Sequence, residues 1–159
     1  MKNKLGATTV GYVNLPLQRA LEGIASAGLD YVELGAIRGY AEHALPEQLD
    51  REGMESLTAT LQRHQLTPVS LSAHSGDLTT QEGLEYLKQC MEVASELHMI
   101  VVNSGTGQTE TLEKEERFFA HIAQAAEYAE KLDITVGLET QNLMLTSGPR
   151  AIEVMERIG

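Results

Sequence analysis

Three side chains that interrupt or end apolar runs carry groups capable of chemistry. Glu139 follows the run ITVGL, Glu33 interrupts YVELGAI, and His74 ends PVSLSAH. Chains rarely place a charged or titratable group in such a run without a partner or a task. A carboxylate there suits metal ligation or general base chemistry, and an imidazole suits metal ligation, hydroxyl binding or proton transfer. The pattern therefore indicates a candidate site for metal or acid–base chemistry.

Each of these residues also has a purely structural interpretation. Glu139 could pair with a lysine or arginine at the end of its strand, or could simply be solvated. Glu33 could cap the following segment or form an ion pair, and His74 could bond a loop carbonyl. The residues themselves leave both interpretations open at all three positions.

The remaining candidates are weaker. The stretch NSGTGQT (103–109) could hold a phosphate on its backbone N–H groups, but it lacks a Walker lysine and a full G-x-G-x-x-G spacing. A flexible loop is the favoured interpretation. We expect Asp77 only to cap or to form a turn. Cys90 lies within a predicted helix without a histidine pattern beside it, so we do not expect a nucleophile there.

A repeat of β-rich run, polar loop and amphipathic helix would position these side chains. The predicted strands are 7–13, 31–37, 68–74, 99–105 and 134–140. The predicted helices are 17–28, 50–65, 80–98, 113–133 and 148–158. Asp50 and Thr80 are expected to cap two of the helices. Strands separated by helices run parallel, so their polar carboxyl ends meet at one edge, where such proteins bind ligands.

Two α/β architectures fit five strand–helix units in a single domain of residues 1–159. A doubly wound, five-stranded sheet would be complete at this length. A (β/α)8 barrel needs about 250 residues, so five units would form a truncated barrel. Counting units alone favours the doubly wound sheet.

The charge and composition of the chain limit the kinds of function that it can have. The formal net charge is −11, which disfavours binding to nucleic acid or to an anionic membrane surface. No apolar run approaches the roughly 18 residues of a membrane span, and the N-terminus does not have the pattern of a signal peptide. A single cysteine, Cys90, indicates a reducing, cytoplasmic setting.

Four stretches together carry a family resemblance. They are GLDYVELGA (28–36), VSLSAHSGD (69–77), VVNSGTG (101–107) and AEKLDITVGLETQN (129–142). In this order and spacing they resemble the sugar phosphate isomerase/epimerase group of the xylose isomerase-like TIM barrels, which also includes endonuclease IV-type enzymes. The resemblance runs over nearly the whole chain, and it favours the truncated barrel over the doubly wound sheet.

The resemblance implies a divalent metal ion (Mn, Mg, Co or Zn) at the carboxyl-terminal rim of the barrel. It makes Glu139 a metal ligand and the catalytic acid or base, and it places Glu33, His74 and Asn103 in the substrate pocket. The remaining metal ligands would come from barrel strands six to eight, outside this chain. Asn103 and Ser104 stand where endonuclease IV-type relatives have a metal-binding histidine, which argues against a DNA-repair nuclease.

The expected function is metal-dependent isomerisation or epimerisation of a sugar or sugar phosphate, with a proton abstracted α to a carbonyl. We expect this activity in the full-length protein, because one carboxylate cannot hold a divalent ion tightly. The alternatives are a non-catalytic α/β module that binds a small molecule or a partner, and a metal-dependent hydrolase or lyase on the same barrel. Exposed barrel edges would favour homo-oligomers or self-association.

Overall fold

The computed structural model describes residues 4–140 and 144–159. The strands are β1 (Gly6–Thr8), β2 (Tyr31–Ile37), β3 (Ala41–Glu42), β4 (Thr67–Ser72), β5 (Val101–Ser104) and β6 (Thr135–Leu138). The α-helices are α1 (Leu17–Ser26), α2 (Arg51–Arg63), α3 (Gln81–Glu96), α4 (Leu112–Lys131) and α5 (Gly148–Ile158). Two short 3-10 helices cover Thr9–Tyr12 and Pro46–Gln48.

The strands follow one another in space as they do in sequence. The order β1-β2-β4-β5-β6 is parallel throughout, and β3 adds an antiparallel hairpin to β2. Right-handed crossovers in a sequential order bring the helices to one face of the sheet. A doubly wound sheet instead reverses its order partway, which the described strands do not do. The prediction of consecutive TIM-barrel units is therefore confirmed.

The core fills the space between the sheet and its helices. Val32, Leu34, Leu71 and Val102 are fully buried on the helix-facing side of the strands. On α3, the buried apolar residues include Leu84, Leu87, Met91 and Ala94. Because alternate strand residues point to opposite faces, the residues between these apolar ones form the other face, which faces the inside of the barrel.

Helix caps that the sequence predicts are present. The Asp50 carboxylate accepts a hydrogen bond from the Gly53 amide at 2.9 Å, and the Thr80 hydroxyl accepts one from the Gly83 amide at 3.1 Å. Each side chain satisfies an N–H group that a helix end leaves without an intrahelical partner.

The first predicted strand, 7–13, is wrong over most of its length. The strand ends at Thr8, and a 3-10 helix follows. The Thr8 hydroxyl accepts from the Val10 amide at 3.2 Å, and the Thr9 hydroxyl accepts from the Gly35 amide at 2.8 Å. Threonine side chains thus take backbone donors that a longer strand would have used in its ladder.

An apolar groove of about 620 Å³ lies along α4, β6 and α5. On α5, Ile152 and Met155 are 62% and 57% exposed. Self-association through such surfaces stays a prediction, which sedimentation velocity of the chain would test. Within residues 4–140 and 144–159, no helix has the length and apolar character needed to cross a membrane.

Candidate functional site

A cavity of about 500 Å³ opens at the carboxyl ends of the parallel strands. It brings together three of the residues that the sequence singled out, Glu33 on β2, His74 after β4 and Glu139 after β6. The rest of its lining is Thr8, Val10, Ile37, Tyr40 and Ser72. The lining thus combines titratable groups with the apolar surface of Val10, Ile37 and the ring of Tyr40.

Two donors hold the carboxylate of Glu33. The Ser70 hydroxyl donates to Glu33 Oε2 at 2.8 Å, and the Asn103 amide nitrogen donates to the same oxygen at 2.9 Å. Hydrogen bonds to a charged acceptor are stronger than neutral ones, so this pair fixes the orientation of the carboxylate. Asn103 therefore lies beside the cavity as a partner of Glu33. Its predicted contact with substrate stays a prediction.

A β-bulge brings the serines of β4 onto this face. Val32 pairs with Pro68, but Glu33 pairs with Ser70, so Val69 is an extra residue on β4. Bulges re-aim side chains and are common near functional sites. Beyond the bulge, Ser70 reaches Glu33 and Ser72 lines the cavity.

His74 lies between a hydroxyl and a carboxylate. The Ser72 Oγ is 2.9 Å from His74 Nδ1, and Glu139 Oε2 is 3.2 Å from His74 Nε2. The second contact is an ion pair when the imidazole is protonated. This contact is not a hydrogen bond, and the buried Nε2 has no hydrogen-bond partner in the described part of the chain. The partners that the structure describes for His74 are thus side chains of the cavity rather than a loop carbonyl.

Glu139 continues the sheet beyond β6. Its backbone amide donates to the Ser104 carbonyl at 3.0 Å, which extends the β5–β6 ladder and anchors the residue at the strand end. Its side chain is 37% exposed. Within the described residues, the ion-pair partner of its carboxylate is His74, not a lysine or arginine.

The residues present fit a divalent metal ion only in part. Glu139 offers carboxylate oxygens at a strand end. The Nε2 atom of His74 is buried and makes no hydrogen bond to the described residues. Oxygen and imidazole ligands suit the divalent ions considered. Across residues 4–140 and 144–159, however, no three His, Cys, Asp or Glu side chains are grouped to hold a metal ion.

Asp77 joins the loops that follow β4 and β5. Its Oδ1 accepts from the Thr79 amide at 3.0 Å, from the Thr79 hydroxyl at 2.8 Å and from the Gln108 amide at 3.2 Å. The stretch 103–109 is thus held at Gln108, whose N–H is engaged by a carboxylate rather than turned toward a phosphate. Burial alone would raise the pKa of Asp77, but these hydrogen bonds lower it below its ordinary value of 3.8.

Replacement of Asp77 by alanine should destabilise the fold by about 2 kcal/mol at pH 7, because it removes three hydrogen bonds to a charged acceptor. A group whose pKa is depressed by folding stabilises the protein above its unfolded-state pKa, and this contribution is lost as the pH falls through its folded-state pKa. Urea unfolding of both proteins should therefore give stabilities that converge below pH 3.8. An equal difference at every pH would contradict the role assigned to the carboxylate.

Cys90 lies within a helix, where the sequence predicts no nucleophile. The residue is fully buried on α3, and burial raises the pKa of its thiol to about 12. A thiol that stays protonated at neutral pH is a poor nucleophile.

Three residues of the site were not predicted from the sequence, namely Ser70, Ser72 and Tyr40. The two serines alternate with apolar residues in PVSLS, a period-2 signal that marks a polar inner face of the strand. Tyr40 lies on the β2–β3 hairpin, and no sequence signal distinguished that hairpin from a loop.

Known proteins match the chain at the level of family and fold. A family model described as xylose isomerase-like TIM barrel matches residues 21–159. No curated protein matches the chain. The D-allulose 3-epimerase from Methylomonas sp., solved in complex with D-allulose, superposes with a TM-score of 0.76 at 19% identity, over 99% of this chain and 60% of its own.

Two further solved structures are similar. A xylose isomerase-like TIM barrel protein from Mycobacterium smegmatis, in complex with magnesium, has a TM-score of 0.78 at 15% identity and covers 98% of this chain and 61% of its own. The probable 3-DHS dehydratase AsbF from Bacillus anthracis has a TM-score of 0.77 at 16% identity, with coverages of 98% and 59%. The chain spans about three fifths of the length of these proteins. At these identities the similarity establishes the fold.

Proposed function

Because the chain belongs to the xylose isomerase-like TIM barrel family, we propose that the full-length protein is a sugar isomerase or epimerase. The observation that carries this proposal is the shared cavity of Glu33, His74 and Glu139 at the carboxyl ends of the strands. This is the end of the barrel at which TIM-barrel enzymes bind their substrates. The similarity in fold to a D-allulose 3-epimerase supports a sugar as the substrate.

Glu139 is the catalytic residue in this proposal. Its carboxylate lies at a strand end, where it can take a proton from the carbon next to a sugar carbonyl. His74, 3.2 Å away, limits the positions that the carboxylate can occupy. Glu33, with its orientation fixed by Ser70 and Asn103, accepts a hydrogen bond from a substrate hydroxyl.

Glu139 also provides one ligand for a divalent metal ion, and the remaining ligands lie outside this chain. When bound, such an ion supplies Lewis-acid chemistry to a sugar carbonyl. Two observations support this part of the proposal. Glu139 offers carboxylate oxygens beside the buried His74 nitrogen, and a protein of the same fold was solved with magnesium.

A lyase is the second candidate function. The fold is as similar to the probable dehydratase from Bacillus anthracis as to the epimerase, and the same residues could abstract a proton in an elimination. The two reactions differ in their products, because epimerisation leaves the mass of the sugar unchanged and dehydration removes one water.

Removal of divalent metal should abolish turnover of a ketose by the full-length protein. We expect purified protein treated with EDTA to lose activity by at least about 100-fold, and Mn²⁺, Mg²⁺ or Co²⁺ to restore it. Chromatography and mass spectrometry of the sugar products provide the measurement. A product lighter by one water would favour the lyase, whereas ligand binding without any product would favour a non-catalytic binding module. Full activity after metal removal would contradict the metal role.

A further inference from the structure

We propose that Gly137 and Asn103 form a positioning pair that sets the orientation of Glu33 in the cavity. The inference rests on the proposed function, because it assigns to Glu33 the binding of a substrate hydroxyl. Neither Gly137 nor Asn103 needs to touch the substrate in this role. Both act through the carboxylate of Glu33.

The absence of a side chain at Gly137 makes room for the Asn103 amide. The two residues are paired in register on neighbouring strands, β6 and β5. A Cβ atom at position 137 would lie well under 3.0 Å from Asn103 Oδ1, a separation that real Cβ atoms essentially never show. The amide of Asn103 thus occupies space that any other residue at position 137 would fill.

The other end of the same amide holds Glu33. Asn103 Nδ2 donates to Glu33 Oε2 at 2.9 Å. Because a carboxylate only accepts hydrogen bonds, the nitrogen end of the amide must face Glu33, and the oxygen end then lies over Gly137. The arrangement connects β6 to β2 across the inner face of the sheet.

A methyl group at position 137 should therefore act on Glu33 without disrupting the sheet. The atoms it would approach most closely belong to the end of the Asn103 side chain, whereas the Asn103 Cα is 3.9 Å away. The amide can rotate away from such a methyl group, but it then loses its bond to Glu33. Ser70 would remain as the single donor described for that carboxylate.

Two substitutions and their combination test this inference in the full-length protein. Gly137→Ala and Asn103→Ala should each raise the KM for a ketose by roughly tenfold, the loss expected for one hydrogen bond to a charged group, and leave kcat within about threefold. If Gly137 acts only through Asn103, the double variant should be no worse than Asn103→Ala alone. If the two increases in KM multiply in the double variant, the inference is overturned.

Two further variants separate positioning from misfolding. Asn103→Asp keeps the shape of the side chain but cannot donate to Glu33, so its KM should rise at least as much as that of Asn103→Ala. Gly148→Ala at the start of α5 is the matched control, because a Cβ there meets no atom of the described residues within 4 Å. It should leave the KM unchanged. A normal KM in Asn103→Asp would overturn the inference.

The side-chain amide signals of Asn103 provide a readout that does not depend on sugar chemistry. In ¹⁵N-labelled protein, the pair of signals absent from Asn103→Ala should move in Gly137→Ala and in Glu33→Gln, and stay in place in Gly148→Ala. If these signals do not move in Gly137→Ala, the inference is overturned even if the protein is an epimerase. If the signals move as expected but wild-type protein binds and converts no ketose, the positioning pair stands and the proposed function fails.

Discussion

Glu139→Gln should reduce turnover of a ketose by the full-length protein about 10³-fold or more, within the range that a single general acid–base group contributes. Glutamine has nearly the shape of glutamate, so the β5–β6 ladder through the residue 139 amide should persist. The neutral amide, however, cannot accept the proton of the substrate, and it is a weaker ligand for a divalent ion. The measurement is the initial rate at saturating ketose and metal.

Glu127→Gln is a suitable control for this experiment. Glu127 is an exposed carboxylate on α4, so its replacement makes the same change in charge and should leave the rate unaffected. Circular dichroism and the unfolding midpoint should be the same in both variants. Activity of Glu139→Gln within about tenfold of wild type would contradict the catalytic role that Glu139 has in the proposed mechanism.

Gly83→Ala should destabilise the fold by about 3 kcal/mol, the upper part of the range for forcing an extra group into a packed site. Helix propensity alone predicts the opposite, since alanine is about 1 kcal/mol better than glycine within a helix. Gly83 is buried in the first turn of α3, and a Cβ there would collide with the backbone of Asp77, only 2.7 Å from its nitrogen. Backbone cannot move aside as a flexible side chain can.

Urea unfolding, followed by circular dichroism, measures this effect. Gly148→Ala again serves as the control, because its Cβ would meet no atom within 4 Å in the described ranges, and its stability should equal or slightly exceed that of wild type. Gly83→Ala should also disturb the hydrogen bonds that Asp77 makes to Thr79 and Gln108. A Gly83→Ala protein as stable as wild type would show that the loop before α3 relaxes freely.

The sequence was sufficient to predict the elements whose apolar periodicity is strong. Helix α3 and strand β2 lie where the spacing of their apolar residues predicts them. That spacing reflects which of their side chains are buried. The first strand was predicted too long because the hydroxyls of Thr8 and Thr9 bind backbone amides, a local competition that composition does not reveal. The β3 hairpin is too short, at two residues, to have a periodic signal.

The site was predictable from polar residues that interrupt or follow an apolar run in the sequence. His74 and Glu139 follow the ends of β4 and β6, Glu33 lies within β2, and parallel topology brings all three to one cavity. The contacts between strands were not predictable, because they depend on register. The approach of Asn103 to Glu33 requires the bulge in β4 and the glycine at position 137, and neither is visible before the strands are paired.

In the proposed mechanism, the full-length protein abstracts a proton from the carbon next to a sugar carbonyl, and Glu139 takes it. Conversion of a ketose in D₂O, followed by NMR of the recovered sugar, tests this most directly. We expect one solvent deuterium at the epimerised carbon of the product, and no such label with Glu139→Gln. A product formed at the wild-type rate without solvent deuterium would contradict proton abstraction by Glu139.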